Sequence, residues 1–258
     1  EILEENGAKE LPPINGNVKF EDVTFAYDSD SENVLENVNF EIKAGETIAL
    51  VGATGAGKST IINLISRFYE TNSGRVLIDG YDIKKVTIES LRQQMGIMTQ
   101  ENFIFSGTIS ENIKYGKLDA TDQEVVEAAK AVNAHNFIMK LKNGYDTLLS
   151  ERGGGLSVGQ KQLIALARTM ISKPKILILD EATSSIDTKT ELLVQKGIEE
   201  ILKGRTSFVI AHRLSTIKKA DRIFVIGNRN IIEEGTHKQL LEKKGVYYSL
   251  YRAQFDEV

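Results

Sequence analysis

The chain of 258 residues contains no cysteine, which removes disulfides, thiolate zinc sites and thiol nucleophiles together. Long apolar runs are also missing. Stretches such as Ile176-Leu177-Ile178-Leu179 are far too short to cross a bilayer. No signal peptide opens the chain, and its first residue is glutamate rather than methionine. An excised or processed fragment is therefore expected, with room for a membrane part upstream. Neither charge sign dominates: 32 Lys and Arg face 36 Asp and Glu, a net charge of −4. That balance exerts no pull toward nucleic acid or acidic lipid. Internal repeats and low-complexity tracts are absent. The length is near the upper size for one domain and allows a sizeable core, burying roughly 70–75% of the unfolded surface.

What is present centres on Gly52-Ala53-Thr54-Gly55-Ala56-Gly57-Lys58-Ser59-Thr60, which fits G-x-x-x-x-G-K-[ST], the P-loop. An apolar run, Thr47–Val51, precedes it and reads as a buried strand. Ile61–Phe68 follows with helical apolar spacing. Gly52, Gly55 and Gly57 let backbone wrap closely around an anion. The loop's amide N–H groups and the positive end of the helix then converge on it. Lys58 would reach the β- and γ-phosphates, and the Ser59 hydroxyl would sit on Mg²⁺. A nucleoside triphosphate is the expected ligand.

Taken in order, residues 1–16 are polar, hold Pro12-Pro13 and Gly16, and read as a linker. Residues 17–258 read as one domain. Val18, Phe20, Val23, Phe25 and Tyr27 alternate with a register break near Glu21-Asp22; Val38, Phe40 and Ile42 alternate again, as does Arg75–Asp79. These runs predict a small antiparallel layer beside the P-loop strand. Ile88–Gln94 reads as a short helix and Met95–Thr99 as a strand ending at Gln100. From about Glu101 to Leu156 no strand is predicted, so an all-helical insert is expected over about 101–171. It includes a capping box, Thr121-Asp122-Gln123-Glu124, and a long helix, Val158–Ile171. Strand–helix alternation then follows: Lys175–Leu179, Lys189–Leu202, Thr206–Ala211. A hairpin turns through Gly227–Asn230, and Gly245 separates two closing helices. The fold class predicted is α/β, a P-loop NTPase core with a mainly parallel sheet.

Two further features bear chemistry. Ile176–Leu179 ends in Asp180-Glu181, placing carboxylates at the edge where α/β sheets bind ligands. Alone, such a pair is an ordinary solvated strand end; after a P-loop, Asp180 is the expected partner of Ser59 around Mg²⁺. Gly153-Gly154-Gly155 precedes Leu156-Ser157-Val158-Gly159-Gln160, by itself a hinge and a serine helix cap.

Leu156–Gln160 resembles the Leu-Ser-Gly-Gly-Gln signature of ATP-binding cassette (ABC) transporters, with Val158 replacing the first glycine of the pair. Other elements resemble the family in order. Tyr27 matches the aromatic that stacks on adenine, Gln100 the glutamine ending a strand beside Mg²⁺, and Ser184-Ser185-Ile186-Asp187 the D-loop. His212 matches the switch histidine. Thr147–Gly153, with Ser150 where glycine is usual, Phe103–Ile113 and Glu234–His237 resemble exporters in particular. His135 and His237 have no such context and read as surface residues.

The resemblance implies a motor domain that binds and hydrolyses ATP with Mg²⁺ on the cytoplasmic side of a membrane. Glu181 would polarise the attacking water, with His212 and Gln100 as its catalytic companions. Ser59, Gln100 and Asp180 would hold the metal. A second nucleotide-binding domain would lend its signature, Leu156–Gln160 in this chain, and its D-loop, Ser185 and Asp187 here, to the partner's ATP. Transmembrane domains would be the other partner; nucleic acid is not expected. Valine at 158 resists backbone dihedrals that glycine adopts, and the resemblance then implies a heterodimer with one altered site, or a homodimer that tolerates valine. A soluble ABC-type ATPase is the alternative, though the coiled-coil or paired-cassette insertions usual there are missing. A P-loop kinase or GTPase would leave the signature and Tyr27 unexplained, and no Asn-Lys-x-Asp motif is present.

Overall fold

The computed structural model describes residues 2–4, 6–28, 31–99, 103–181 and 186–255, with the side chains of 254 and 255 left aside. It divides into two compact units. The first comprises residues 1–95, 175–181 and 204–258; the second comprises 96–174 and 182–203.

In the first unit the P-loop strand Thr47–Val51 lies between two parallel neighbours, Thr206–Ile210 and Arg222–Gly227. Ile176–Asp180 pairs parallel with Thr206–Ile210 on one side, and Asn230–Gly235 pairs antiparallel with Arg222–Gly227 on the other. The inner strands read as near-continuous apolar runs because both their faces are covered. Ile48, Ala49, Leu50, Ile176, Leu177, Phe208 and Val209 are fully buried, and each large aliphatic among them stabilises by roughly 1.5–3 kcal/mol. The hairpin turn has Asn228 and Arg229 at φ 47° and 63°, the two left-handed residues that a two-residue turn needs to match strand twist.

A second, antiparallel sheet in this unit runs in the order Leu35–Ile42, Val18–Phe25, Ser73–Ile78, Tyr81–Asp82. The break expected near Glu21-Asp22 is there: register shifts between Phe20 and Val23, and Asp22 has φ 49°. Gly74 explains how the strands tolerate it, since a Cβ there would sit 2.3 Å from the Asp22 carbonyl oxygen.

The stretch preceding these strands is bolted down over its second half. Leu11 and Ile14 are buried. Their amides donate to Ser90 Oγ and Gln94 Oε1, both at 2.8 Å. Asp79 accepts from the amides of Asn15, Gly16 and Asn17 and from the Asn17 side chain. Burial pulls the Asp79 carboxyl upward, but these donors together outweigh it and hold it below the ordinary carboxylate value. A carboxyl depressed by folding contributes stability above its unfolded value and loses it as pH falls through the folded one. Protection of the Asn15–Asn17 amides, taken as the exchange rate relative to the intrinsic rate at each pH, should fall on acidification, and Asp79→Asn should remove most of that pH dependence. Wild-type protection that is the same at neutral and low pH, or equal to that of Asp79→Asn at neutral pH, would contradict this anchor.

The second unit is mainly helical: Ile109–Lys114, Asp122–Ala131, His135–Ile138, Val158–Ile171 and Thr188–Leu202. Three of these start on complete capping boxes, Thr108/Glu111, Thr121/Glu124 and Ser157/Gln160, which satisfy orphan amides reciprocally. Arg168 ties the unit together, donating to the Asn112 carbonyl, Asn112 Oδ1 and the Phe103 carbonyl. Gly116 permits this approach; a Cβ there would fall 1.9 Å from the Arg168 carbonyl oxygen. The expectation of an all-helical insert is corrected. Gly107–Thr108 and Leu148–Leu149 form an antiparallel ladder, and two residues per strand are too few for alternation to register in sequence. The two histidines read as surface residues are also corrected. Each is half-buried and bonded through Nδ1 to a tyrosine hydroxyl, His135 to Tyr145 at 2.8 Å and His237 to Tyr247 at 2.6 Å.

Candidate functional site

The strand Thr47–Val51 delivers the chain to Gly52 at the sheet's C-terminal edge, and the helix Lys58–Ile65 leaves from Gly57. Gly57 is left-handed at φ 107° and caps the helix with no side-chain bond. Gly52, at φ 149°, has no room for a side chain: a Cβ would lie 2.4 Å from the Ile226 carbonyl oxygen. No acidic residue stands in the helix's first turn, so its positive end is not neutralised and remains available to an anion.

Lys58 is half-buried, and its ammonium donates to the carbonyls of Gly52 and Ala53, both at 2.8 Å. The cation is thus folded back onto the loop it belongs to. Burial pushes it downward, opposed by the Asp180 carboxylate. Asp180, ending its strand, is pushed up by burial, with His212 and Lys58 drawing it back. Three predicted residues from three separate segments therefore share one electrostatic neighbourhood. Ser59 is exposed. Among the described residues no group of three His, Cys, Asp or Glu side chains could hold a metal. Ser59 and Asp180 suit a cation that arrives with phosphate oxygens and water as its remaining ligands, as Mg²⁺ does.

Tyr27 is 43% exposed, propped by two edge-type contacts, to Phe25 and Tyr69, each with ring centroids 4.9 Å apart. Its hydroxyl lies 3.0 Å from the hydroxyl of Thr60, which is buried. The ring is therefore tethered to the P-loop helix itself. Sequence alone gave no sign of this bond, because the two residues lie in separate elements with no shared periodicity.

Glu181 departs from the image of a base facing solvent. It is only 2% exposed. One carboxylate oxygen accepts from the amides of His212 at 2.9 Å and Arg213 at 3.0 Å, and the other from the Thr216 hydroxyl at 2.5 Å. Thr216 carries no local signal in the sequence; its partnership becomes visible only when the helix Leu214–Lys219 folds against Glu181.

In the second unit the signature stretch forms the start of Val158–Ile171. The Ser157 hydroxyl accepts from the Gln160 amide, and the Gln160 side chain accepts from the Ser157 amide. Val158 is the first helical residue, 45% exposed, and is not among the positive-φ residues. The expectation that valine resists a glycine-type backbone here is corrected: this position needs no glycine conformation. Gly159 is the glycine that packing requires, since a Cβ would meet the Thr190 methyl at 2.3 Å and an Ile186 methyl at 2.9 Å. Asp187 caps the helix Thr188–Leu202, accepting from the Thr190 amide at 3.0 Å. Gln100 and Ser185 lie outside the described residues.

Comparison with known proteins places these observations. A family model described as ABC transporter matches residues 35–184. The chain is 52% identical over 98% of its length to an uncharacterised ABC transporter ATP-binding protein of Bacillus subtilis, covering 42% of that relative. It is 49% identical over its whole length to an ATP-dependent lipid A-core flippase of Syntrophus aciditrophicus, again covering 42%. A solved structure, of a bacterial Atm1-family ABC exporter with ATP bound, superposes with a TM-score of 0.91 at 43% identity, over 99% of this chain and 44% of that one. The chain thus spans about two fifths of the length of the curated relatives it matches.

Proposed function

Because the chain belongs to the ABC transporter family, we propose that it is the ATP-hydrolysing nucleotide-binding domain of an exporter, acting on membrane domains at a membrane's cytoplasmic face. The observation that supports this best is the convergence at one sheet edge of Lys58, Asp180, Glu181 and His212 around an uncapped, acid-free helix start. Export in particular rests on relatives described as a flippase and an exporter. Among the described residues no helix is long and apolar enough to cross a membrane.

In this reading the loop amides and Lys58 hold the phosphates, and Tyr27 stacks on adenine. Ser59 and Asp180, with Gln100, would hold Mg²⁺, which supplies charge neutralisation between the phosphates. Phosphoryl transfer to water depends mainly on such positioning and electrostatics. Glu181 takes the proton of the attacking water, and His212 aligns that water with the γ-phosphate. Ser157, Gly159 and the D-loop, Ser185 and Asp187, serve the ATP of a second nucleotide-binding domain, a copy of this chain or a different subunit.

The Tyr27 series tests the adenine contact. Tyr27→Ala should weaken ATP binding by about 1–3 kcal/mol, the range for base–aromatic stacking. Tyr27→Phe keeps the ring and should nearly keep the affinity. It leaves the buried Thr60 hydroxyl without its tyrosine partner, lowering folding stability by about 1 kcal/mol. ATP titration and thermal melting separate the two effects. Phe as damaging to binding as Ala would contradict the stacking role. For export, ATP-dependent flux by the full-length protein in sealed vesicles supports the reading; a full-length protein without membrane spans contradicts it.

A further inference from the structure

We propose that Thr216 is a positioning residue for the hydrolysis reaction, fixing the Glu181 carboxylate through its hydroxyl; this rests on the reading of Glu181 as the base. A carboxylate has about four lone-pair positions. Here donors among the described residues occupy three of them: the His212 and Arg213 amides on one oxygen and the Thr216 hydroxyl on the other. The two amides alone fix one oxygen and leave the group free to pivot about it. The third donor, on the opposite oxygen, stops that pivot and commits a single lone pair to the remaining direction.

The arrangement has a second consequence. The same carboxylate holds the backbone of His212, so base and switch histidine share one support, and Thr216 completes it. Thr216 is 3% exposed and follows the turn in which its own amide donates to the Arg213 carbonyl at 3.2 Å. Its hydroxyl is therefore aimed by a folded helix rather than by a loose loop. Nucleotide affinity should be indifferent to it. The groups assigned to phosphate and adenine, Lys58 and Tyr27, are bonded to Gly52, Ala53 and Thr60 instead.

Thr216→Val removes the donor at nearly constant shape, and Thr216→Ser keeps it. In Thr216→Val, kcat should fall about tenfold to a hundredfold, the scale for losing one hydrogen bond to a charged group, with the Kd for ATP unchanged. Thr216→Ser should restore turnover to within about threefold of the wild type. Without nucleotide, hydrogen exchange at the His212 and Arg213 amides should accelerate in Val and not in Ser. In a Glu181→Gln background, single-turnover hydrolysis should fall no further when Val is added, because a residue acting through Glu181 is non-additive with it. Should Val fail to fold, Thr216→Ala against Thr216→Ser makes the same comparison. A parallel loss of kcat and ATP affinity, unchanged or increased kcat in a folded Val or Ala variant, or full additivity with Glu181→Gln would overturn the proposal. Failure of the reading beneath it looks different: wild-type turnover would then survive Glu181→Gln.

Discussion

Lys58→Ala is expected to lose ATP binding at concentrations that saturate the wild type. The loop surrounding Lys58 is shaped for an anion by Gly52 and Gly57 and by a helix start with no acid in its first turn. Amides and dipole supply a fixed, partial positive charge there; Lys58 supplies the mobile whole one. Its ammonium already makes two bonds, to the Gly52 and Ala53 carbonyls. Exchanging both for phosphate oxygens replaces neutral acceptors with charged ones. At about 1.5–3 kcal/mol for each bond to a charged group, losing both costs about two to four orders of magnitude in Kd. The same substitution removes two bonds that brace the loop, so a melting curve without ATP must accompany the binding measurement. Unchanged ATP affinity in a normally folded Lys58→Ala protein would contradict the P-loop assignment.

Glu181→Gln should do the reverse, keeping ATP and losing turnover. Its surroundings make the variant structurally mild. The Gln carbonyl can still accept from the His212 and Arg213 amides, and its NH₂ can donate to Thr216 Oγ1 if that hydroxyl turns to accept. The support survives while the base is deleted. A positioned base contributes about 10²–10⁴-fold, and kcat should fall on that scale with the Kd for ATP within a few-fold of the wild type. Steady-state phosphate release near the wild-type rate would remove Glu181 from the mechanism.

Much of the frame was legible because it rests on local rules. The P-loop's strand, glycines and helix are contiguous, the Thr121–Glu124 capping box occupies four consecutive residues, and the Gly227–Asn230 turn sits between two apolar runs. Asp180 could be placed at the ligand edge because a parallel strand carries its last residue there. What sequence could not show is how side chains far apart in the chain share donors. The Tyr27–Thr60 bond, the three donors on Glu181 and the four on Asp79 leave no period, since each joins separate elements.

Valine 158 shows the opposite failure. Glycine dihedrals are not needed at this position, which is ordinary first-turn helix. The steric demand for glycine falls one residue later, where Thr190 and Ile186 approach. Packing between helices set that demand, and no local pattern encodes it. A difference at Val158 therefore acts through its exposed side chain rather than through backbone strain.

The measurement that bears most directly on the nucleotide site is an isothermal titration of the wild-type chain with Mg²⁺·ATP, followed by assay of the cell contents for ADP. The geometry around Lys58, Asp180 and Tyr27 predicts saturable binding of one ATP per chain, tighter than about 1 mM, the upper end of usual enzyme affinities. ADP should accumulate afterwards. No saturable heat up to that concentration in a folded chain would contradict it.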